Sequence, residues 1–424
     1  MRATSLKKRD RFRRYQLNKT SEAVLKSGHP WILTGNLSTA VSAFRDGDWM
    51  RLVSGKNETL GFGIFSSSGP IGIRIVQIGE FFSLERLEET VRKALELRKP
   101  LRSETNAYRI LHGENDFLPG ITLDRYGDTW VVQTYSRSLK AFSRLVQGIA
   151  YKIAPSAGEP VPKHILSLSP ERRGKEEASP TRFLRGKREL PYFEKIRLLG
   201  LEWKTRLPGQ KGGFFLDVRN LRRYILENPK LFENRECLHL FSHTGLTSVC
   251  LEYSKAKSVT SVDGGKEALE EFASFLSESP ASFDEKNKIQ VLGKHHLVRA
   301  DLFRDWEFLE SGKYGCIVLD PPNLAPNQAS LPSAKKAYRS LISKALEHLE
   351  PGGDLILLSC SGRIRESEFE KIGRETLRAQ GWNLGEWKRL DPEPDHPVRK
   401  EFPEGKYFKV HIYHNIRKIE SPAK

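Results

Sequence analysis

Cys316-Ile-Val-Leu-Asp-Pro-Pro322 and Asp354-Leu-Ile-Leu-Leu-Ser-Cys360 decide the fold of this chain. Each is a short apolar run that stops abruptly. The first ends in an acid and two prolines, the second in a thiol flanked by serines and followed by Gly362. Runs of this length, apolar throughout, suit strands buried on both faces of a parallel sheet. Similar strands are expected at 238–241, 258–263 and 296–300, with helices at 266–276, 334–349 and 366–380 between them. The alternation specifies a doubly wound, mostly parallel sheet. Such sheets bind ligands outside the carboxyl ends of their strands. Asp320 and Cys360 then emerge side by side at that edge.

Outward from this region the pattern changes. Two strands at 382–390 and 407–414 have no helix between them and suit an antiparallel closing hairpin. Residues up to about 80 read as short strands separated by turn residues, the signature of a small β-barrel. Residues 83–99 carry a helical apolar stripe, with Ser83 as N-cap and no capping box, because Arg86 stands where Glu would close one. Tyr126-Gly-Asp128 is a hairpin turn, and a helix follows over 139–153. Residues 154–188 are rich in Pro, Ser, Glu, Lys and Arg, and the middle of this stretch reads as a mobile surface excursion.

Composition sets limits. The 424 residues require about two to four domains. A hydrophobic content of 38% is enough for packed cores, while the net charge of +17 favours a polyanionic partner such as nucleic acid. No run approaches the roughly eighteen apolar residues of a spanning helix, and no secretory leader is visible. The first twenty residues hold eight Lys or Arg against one Asp, but Trp31 already reads as folded structure. Four cysteines without CxxC spacing or nearby His pairs give neither a zinc site nor a disulfide framework, so no metal and a cytoplasmic location are expected.

The strand ends carry the chemistry. Phe241-Ser242-His-Thr244-Gly245 leads into a helix whose free N–H groups can hold a carboxylate. Asp263 ends the next strand, where an acid accepts ribose hydroxyls. Asp301 ends the third, suited to an adenine amino group. Successive acids imply an adenosine-containing cofactor, and the missing GxGxxG favours S-adenosylmethionine over a dinucleotide. The plain alternative is that Asp263 and Asp301 cap helices. Cys237, Cys250 and Cys316 read as core residues, whereas Cys360 sits where the chain leaves the core and reads as a nucleophile. A thiolate adding to carbon 6 of cytosine makes carbon 5 nucleophilic, and Asp320 can stabilise the charge developing near N3.

The chain resembles, over nearly its full length, the bacterial 23S ribosomal RNA cytosine-C5 methyltransferases of the large-subunit methyltransferase I type. The motifs are Gly28-His-Pro-Trp31, Gly113-Glu-Asn-Asp-Phe-Leu-Pro-Gly-Ile-Thr-Leu-Asp-Arg-Tyr-Gly127 and Gln210-Lys-Gly-Gly-Phe-Phe-Leu-Asp-Val-Arg219. Phe241-Ser-His-Thr-Gly245, Asp320-Pro-Pro322, Ser359-Cys-Ser-Gly362 and Asp395-His-Pro397 complete the set. The resemblance implies three domains: a PUA-like RNA-binding β-barrel (1–80), a central α/β domain (81–205) and a Rossmann-like class I methyltransferase domain with a seven-stranded sheet (206–424). It implies S-adenosyl-L-methionine as donor and Cys360 as nucleophile. Asp217 and Arg219 match the segment packing over the cofactor, and Asp263, Asp301, Asp320 and Pro321 match positions around it. Departures are Asn323-Leu324 in place of Lys-Phe, His243 in place of an aromatic Tyr, and Val218 in place of Gln.

Ribosomal RNA is then the expected partner, with a homodimer as the expected assembly and no membrane. Arg9, Arg11, Arg13 and Arg14 are placed to meet phosphates, and His29 and Trp31 to meet bases. A basic patch at 172–187 and Lys335-Lys336 are further phosphate candidates. Two rival activities share these residues: an RNA N-methyltransferase needing no thiol, and a noncatalytic RNA-binding or ribosome-assembly protein that keeps the fold.

Overall fold

Short runs broken by turns build the first strands of the computed structural model, which describes residues 12–168, 181–208, 214–278, 289–309 and 312–419. The chain divides into two compact units, residues 1–216 with 394–405, and residues 217–393 with 406–424. In the first unit β1 (Arg13–Gln16), α1 (Lys19–Lys26), β2 (Trp31–Leu33), β3 (Trp49–Val53), β4 (Thr59–Phe65) and β5 (Ile71–Ile78) follow in sequence. Their strands form one five-stranded sheet in the order β1-β3-β4-β5-β2, parallel only between β1 and β3. Tyr15, Leu25, Ile32, Met50, Leu52 and Phe65 are buried on it. The Asn18 carboxamide oxygen accepts the Ser21 N–H at 2.8 Å, starting α1.

A second sheet of this unit contains β6 (Ala107–His112), β7 (Ile121–Tyr126), β8 (Thr129–Thr134), β9 (His164–Leu168) and β10 (Arg182–Arg185), in the order β10-β9-β8-β7-β6. It packs against α2 (Leu84–Leu97) and α3 (Lys140–Ile153). Ser83 caps α2 as the sequence predicts, its hydroxyl accepting the Arg86 N–H at 3.0 Å. The turn at Gly127-Asp128 joins β7 to β8 with Tyr126 opposite Thr129. The flanks of the 154–188 stretch form strands β9 and β10, too short among polar neighbours to show a period. Its middle, 169–180, lies outside the described residues. A hairpin of β11 (Tyr192–Leu198) and β12 (Leu201–Leu207) follows, its burial alternating residue by residue.

Asp395-His396-Pro397 belongs to this first unit although it follows the second in sequence. Arg98, fully buried, donates to both oxygens of Asp116 at 2.9 and 2.6 Å and to the Asp395 carbonyl at 3.1 Å. The Arg109 N–H donates to the Asp395 carboxylate at 3.0 Å. The 394–405 segment is thereby tied down by charge-assisted hydrogen bonds in a dry setting.

The second unit opens with α4 (Arg219–Glu227) and then alternates: β13 (Glu236–Leu240), α5 (Leu246–Tyr253), β14 (Ser258–Asp263), α6 (Lys266–Ser277), β15 (Ile289–Leu292), β16 (His295–Arg299) and β17 (Tyr314–Leu319). After these come α7 (Leu331–Glu347), β18 (Leu349–Ser359), α8 (Glu366–Ala379), β19 (Glu386–Leu390) and β20 (Lys409–Ile416). The strands form one mixed sheet in the order β15-β16-β14-β13-β17-β18-β20-β19. The described sheet has eight strands rather than seven. The extra one, β15, is a four-residue edge strand antiparallel to β16, below the length at which alternation is legible. The late hairpin is present, β19 pairing antiparallel with β20. Parallel pairing runs through β16, β14, β13, β17 and β18, and the direction of winding reverses between β13 and β17. Such a switch point opens a crevice at the strand ends.

Candidate functional site

The loop leaving β13 is bent against ordinary preference. Phe241, His243 and Gly245 have φ of 61°, 49° and 79°, and left-handed non-glycine residues cost of order 1–3 kcal/mol each. Asp263, at the end of β14, holds this loop. One carboxylate oxygen accepts the His243 N–H at 2.8 Å and the other accepts the Gly265 N–H at 2.7 Å. Gly245 is required twice over, by its φ and because a Cβ there would stand 2.1 Å from the Phe272 ring. Ser242 and Thr244 are buried. The Ser242 hydroxyl has no hydrogen-bond partner among the described residues, a state that costs about 1–3 kcal/mol unless something else binds it.

The other predicted cofactor positions fall on the same unit. Asp217 is buried and accepts the Tyr407 hydroxyl proton at 2.8 Å. Arg219 is fully buried, its Nε 3.5 Å from Glu393. Asp301 follows β16 and is exposed, one oxygen accepting the Phe303 N–H at 3.1 Å. Asp263 and Asp301 therefore both cap their own turns. A carboxylate has about four acceptor positions, so these bonds leave room for ribose or adenine groups.

Asp320 and Cys360 close the adjoining strand ends. β17 and β18 are parallel neighbours with Leu319 opposite Leu357. The Asp320 N–H donates to the Leu240 carbonyl at 3.1 Å, setting the acid beside the end of β13. Cys360 Sγ lies 3.9 Å from the carbonyl oxygen of Pro321. Cys360 is half-buried, whereas Cys237, Cys250 and Cys316 are buried in strands or helices. Pro321 is buried, Pro322 and Asn323 are exposed, and Leu324 packs on the core. The Asn323 side chain accepts the Ala325 N–H at 3.1 Å, so it shapes the turn.

Three groups near this edge escape a reading by sequence. Arg222 is buried, and desolvation lowers its guanidinium to about 10 while Cys250, Asp217 and Asp320 act to raise it. Lys409 is buried in β20 and donates to the carbonyls of Ser361 at 2.7 Å and Tyr407 at 3.0 Å. Glu366 accepts from His411 at 2.5 Å and pairs with Lys406 at 2.8 Å. The only sequence signal for Lys409 is a lysine inside the otherwise alternating run Lys-Val-His-Ile-Tyr-His.

The candidate RNA contacts lie in the first unit. Arg13 and Arg14 are exposed on β1, with Arg13 2.8 Å from Asp48 and Arg14 Nε donating to Asn57 at 2.7 Å. Arg9 and Arg11 lie outside the described residues. His29 and Trp31 are brought together edge to face with Phe402, and the Trp31 indole donates to Glu114 at 2.7 Å. Among the described residues no group of three or more His, Cys, Asp or Glu could hold a metal ion, and no helix is long and apolar enough to cross a membrane.

Comparison with known proteins adds to this geometry. Residues 16–77 match the PUA-like domain family. The chain is 30% identical over 406 residues to the ribosomal RNA large subunit methyltransferase I of Alteromonas mediterranea, covering 93% of this chain and 96% of that one. It is 28% identical to the ribosomal RNA large subunit methyltransferase of Deinococcus radiodurans, over 94% of this chain and 96% of the relative. In fold it is similar to a putative methyltransferase solved in complex with SAH, at a TM-score of 0.77 and 21% identity, covering 96% and 100% of the two chains. A putative SAM-dependent methyltransferase from Streptococcus mutans gives a TM-score of 0.76 at 20% identity, with the same coverage.

Proposed function

The chain belongs to the ribosomal RNA large subunit methyltransferase I family, and from that premise we propose that it methylates carbon 5 of a cytosine in 23S ribosomal RNA with Cys360 as nucleophile. It is an S-adenosylmethionine-dependent ribosomal RNA methyltransferase. The observation that carries the finer reading is the half-buried thiol 3.9 Å from Pro321 O, at the ends of two adjacent parallel strands.

When bound, S-adenosylmethionine supplies an electrophilic methyl group. Two observations support its place beside β13: the buried Ser242 hydroxyl, without a partner among the described residues, and a strained loop whose Gly245 opens α5 toward the strand ends. In this reading Asp217, Arg219, Thr244, Asp263, Asp301, Asp320 and Pro321 surround it.

The cytosine ring is electron-poor, and its carbon 5 is a poor nucleophile until carbon 6 is attacked. Cys360 Sγ forms the bond to carbon 6, and the ring electrons move so that carbon 5 can take the methyl group. Asp320, acting as the acid, donates its carboxyl proton in a hydrogen bond to N3, where negative charge develops. Loss of the carbon 5 proton to a base then returns the electron pair, and the carbon–sulfur bond breaks. Asn323 and Leu324 form the turn beside Asp320 and bear on how the base is held. Arg13, Arg14, His29 and Trp31 belong, in the same proposal, to a surface that meets RNA, and Arg9 and Arg11 are phosphate contacts proposed from the sequence alone.

The test is an assay of Cys360→Ala with 23S ribosomal RNA, together with a trapping experiment on 5-fluorocytidine RNA. The expected results are loss of methyl transfer by at least about 10³-fold and a covalent adduct with the unsubstituted protein only. Methyl transfer that survives the substitution would favour a nitrogen-methylating enzyme instead. A well-folded protein that binds no S-adenosylmethionine would favour the noncatalytic assembly role.

A further inference from the structure

The thiol assigned to Cys360 attacks only as a thiolate, and a thiol at its ordinary value is mostly protonated at neutral pH. The structure holds a cation in the right place. β18 and β20 pair antiparallel with Ser359 opposite Lys409, so the lysine starts level with the residue before Cys360. Its ammonium donates to the carbonyl of Ser361, the residue after Cys360, at 2.7 Å and to that of Tyr407 at 3.0 Å. An ammonium has three protons, and these two carbonyls use two of them.

We propose that Lys409 is the positioning residue for Cys360, fixing the turn that carries the thiol and acting as the buried counter-charge of its thiolate. The role rests on the nucleophile reading of Cys360. Lys409 is only 1% exposed, and a buried ammonium is costly unless an anion compensates it. Among the described residues it forms no ion pair with a carboxylate. Glu366 is engaged by His411 and Lys406, and Glu368 by Lys335.

The charged groups around Lys409 act in both directions. Burial lowers the ammonium to about 8, Lys406 adds to that, and Glu366, Cys360 and Glu368 oppose it. It therefore remains mostly protonated at pH 7, the condition a counter-charge needs. The thiol proton leaves to solvent as the thiolate forms, and a fixed positive charge nearby moves that loss to lower pH.

The experiment follows the rate of Cys360 alkylation by iodoacetamide against pH in the full chain, read on the Cys360 peptide by mass spectrometry. Lys409→Met removes the charge and the hydrogen bonds. Lys409→Gln removes the charge but keeps an N–H donor, and carries the test if the Met variant does not fold. Lys409→Arg keeps the charge. The expected result is an alkylation midpoint raised by about one pH unit or more in the neutral variants and held low in Lys409→Arg. Methyl transfer at pH 7 falls about tenfold or more in the neutral variants and recovers as pH rises. A folded neutral variant with an unshifted midpoint would overturn the proposal, as would an arginine variant that titrates like the glutamine one. The midpoint involves no catalytic step, so failure here is distinct from failure of the cytosine reading, which shows as methyl transfer surviving in Cys360→Ala.

Discussion

Gly245 and Asp320 are the residues where small changes say most. Gly245→Ala meets the Phe272 ring and an unfavourable φ together, so it is expected to destabilise the second unit by about 2 kcal/mol or more. Urea unfolding reads this directly, and S-adenosylmethionine affinity should fall with it. Asp320→Asn keeps the turn and removes the carboxylic acid that would donate to N3. It is expected to lower methyl transfer by about 10²-fold while leaving unfolding midpoints within about 0.5 kcal/mol. In the first unit Asp116→Ala strips the buried Arg98 of its bidentate partner and is expected to cost about 3–5 kcal/mol, again measurable by urea. Asp320 and Cys360 were legible in the sequence because each ends an apolar run, and strand ends are where such sheets place chemistry. Lys409 was not, because its contact with Ser361 is made only when β18 and β20 pair, and local pattern carries no information on pairing.

At the scale of elements, α8 is fastened to β20 through its first residue. Burial acts to raise the Glu366 carboxyl, but hydrogen bonds from His411 and Lys406 outweigh it and hold the group at about 2, below its ordinary 4.5. A carboxylate lowered in the folded state contributes stability that is complete above the unfolded value and is lost as pH falls through the folded one. The expected outcome is a urea midpoint that declines between about pH 4.5 and 2, with the decline reduced in Glu366→Gln. Elements with strong local signals were readable: the buried parallel strands, the striped helix α2 with its Ser83 cap, and the β7–β8 hairpin. β9, β10 and β15 were not, because four or five residues span too few periods to show one.

Across the whole molecule the excess charge of +17 is the dominant field. Binding to ribosomal RNA should weaken steeply with salt, and replacing both Arg13 and Arg14 by Ala should reduce the slope of log affinity against log salt by about 1–2, as filter binding across salt concentrations would show. The existence of a PUA-like segment and a methyltransferase fold was legible from motif order. That residues 394–405 complete the first unit was not, because it depends on Arg98 and Arg109 meeting Asp395 across the length of the second. That arrangement sets a timetable for synthesis. Residues 1–216 leave the ribosome early, yet the segment that completes their unit emerges only after residues 217–393 have been made. At about 5–20 residues per second the wait is on the order of ten seconds. During it Arg98 and Asp116 stand without Asp395, and a premature stop anywhere between residues 217 and 393 leaves both units unfinished.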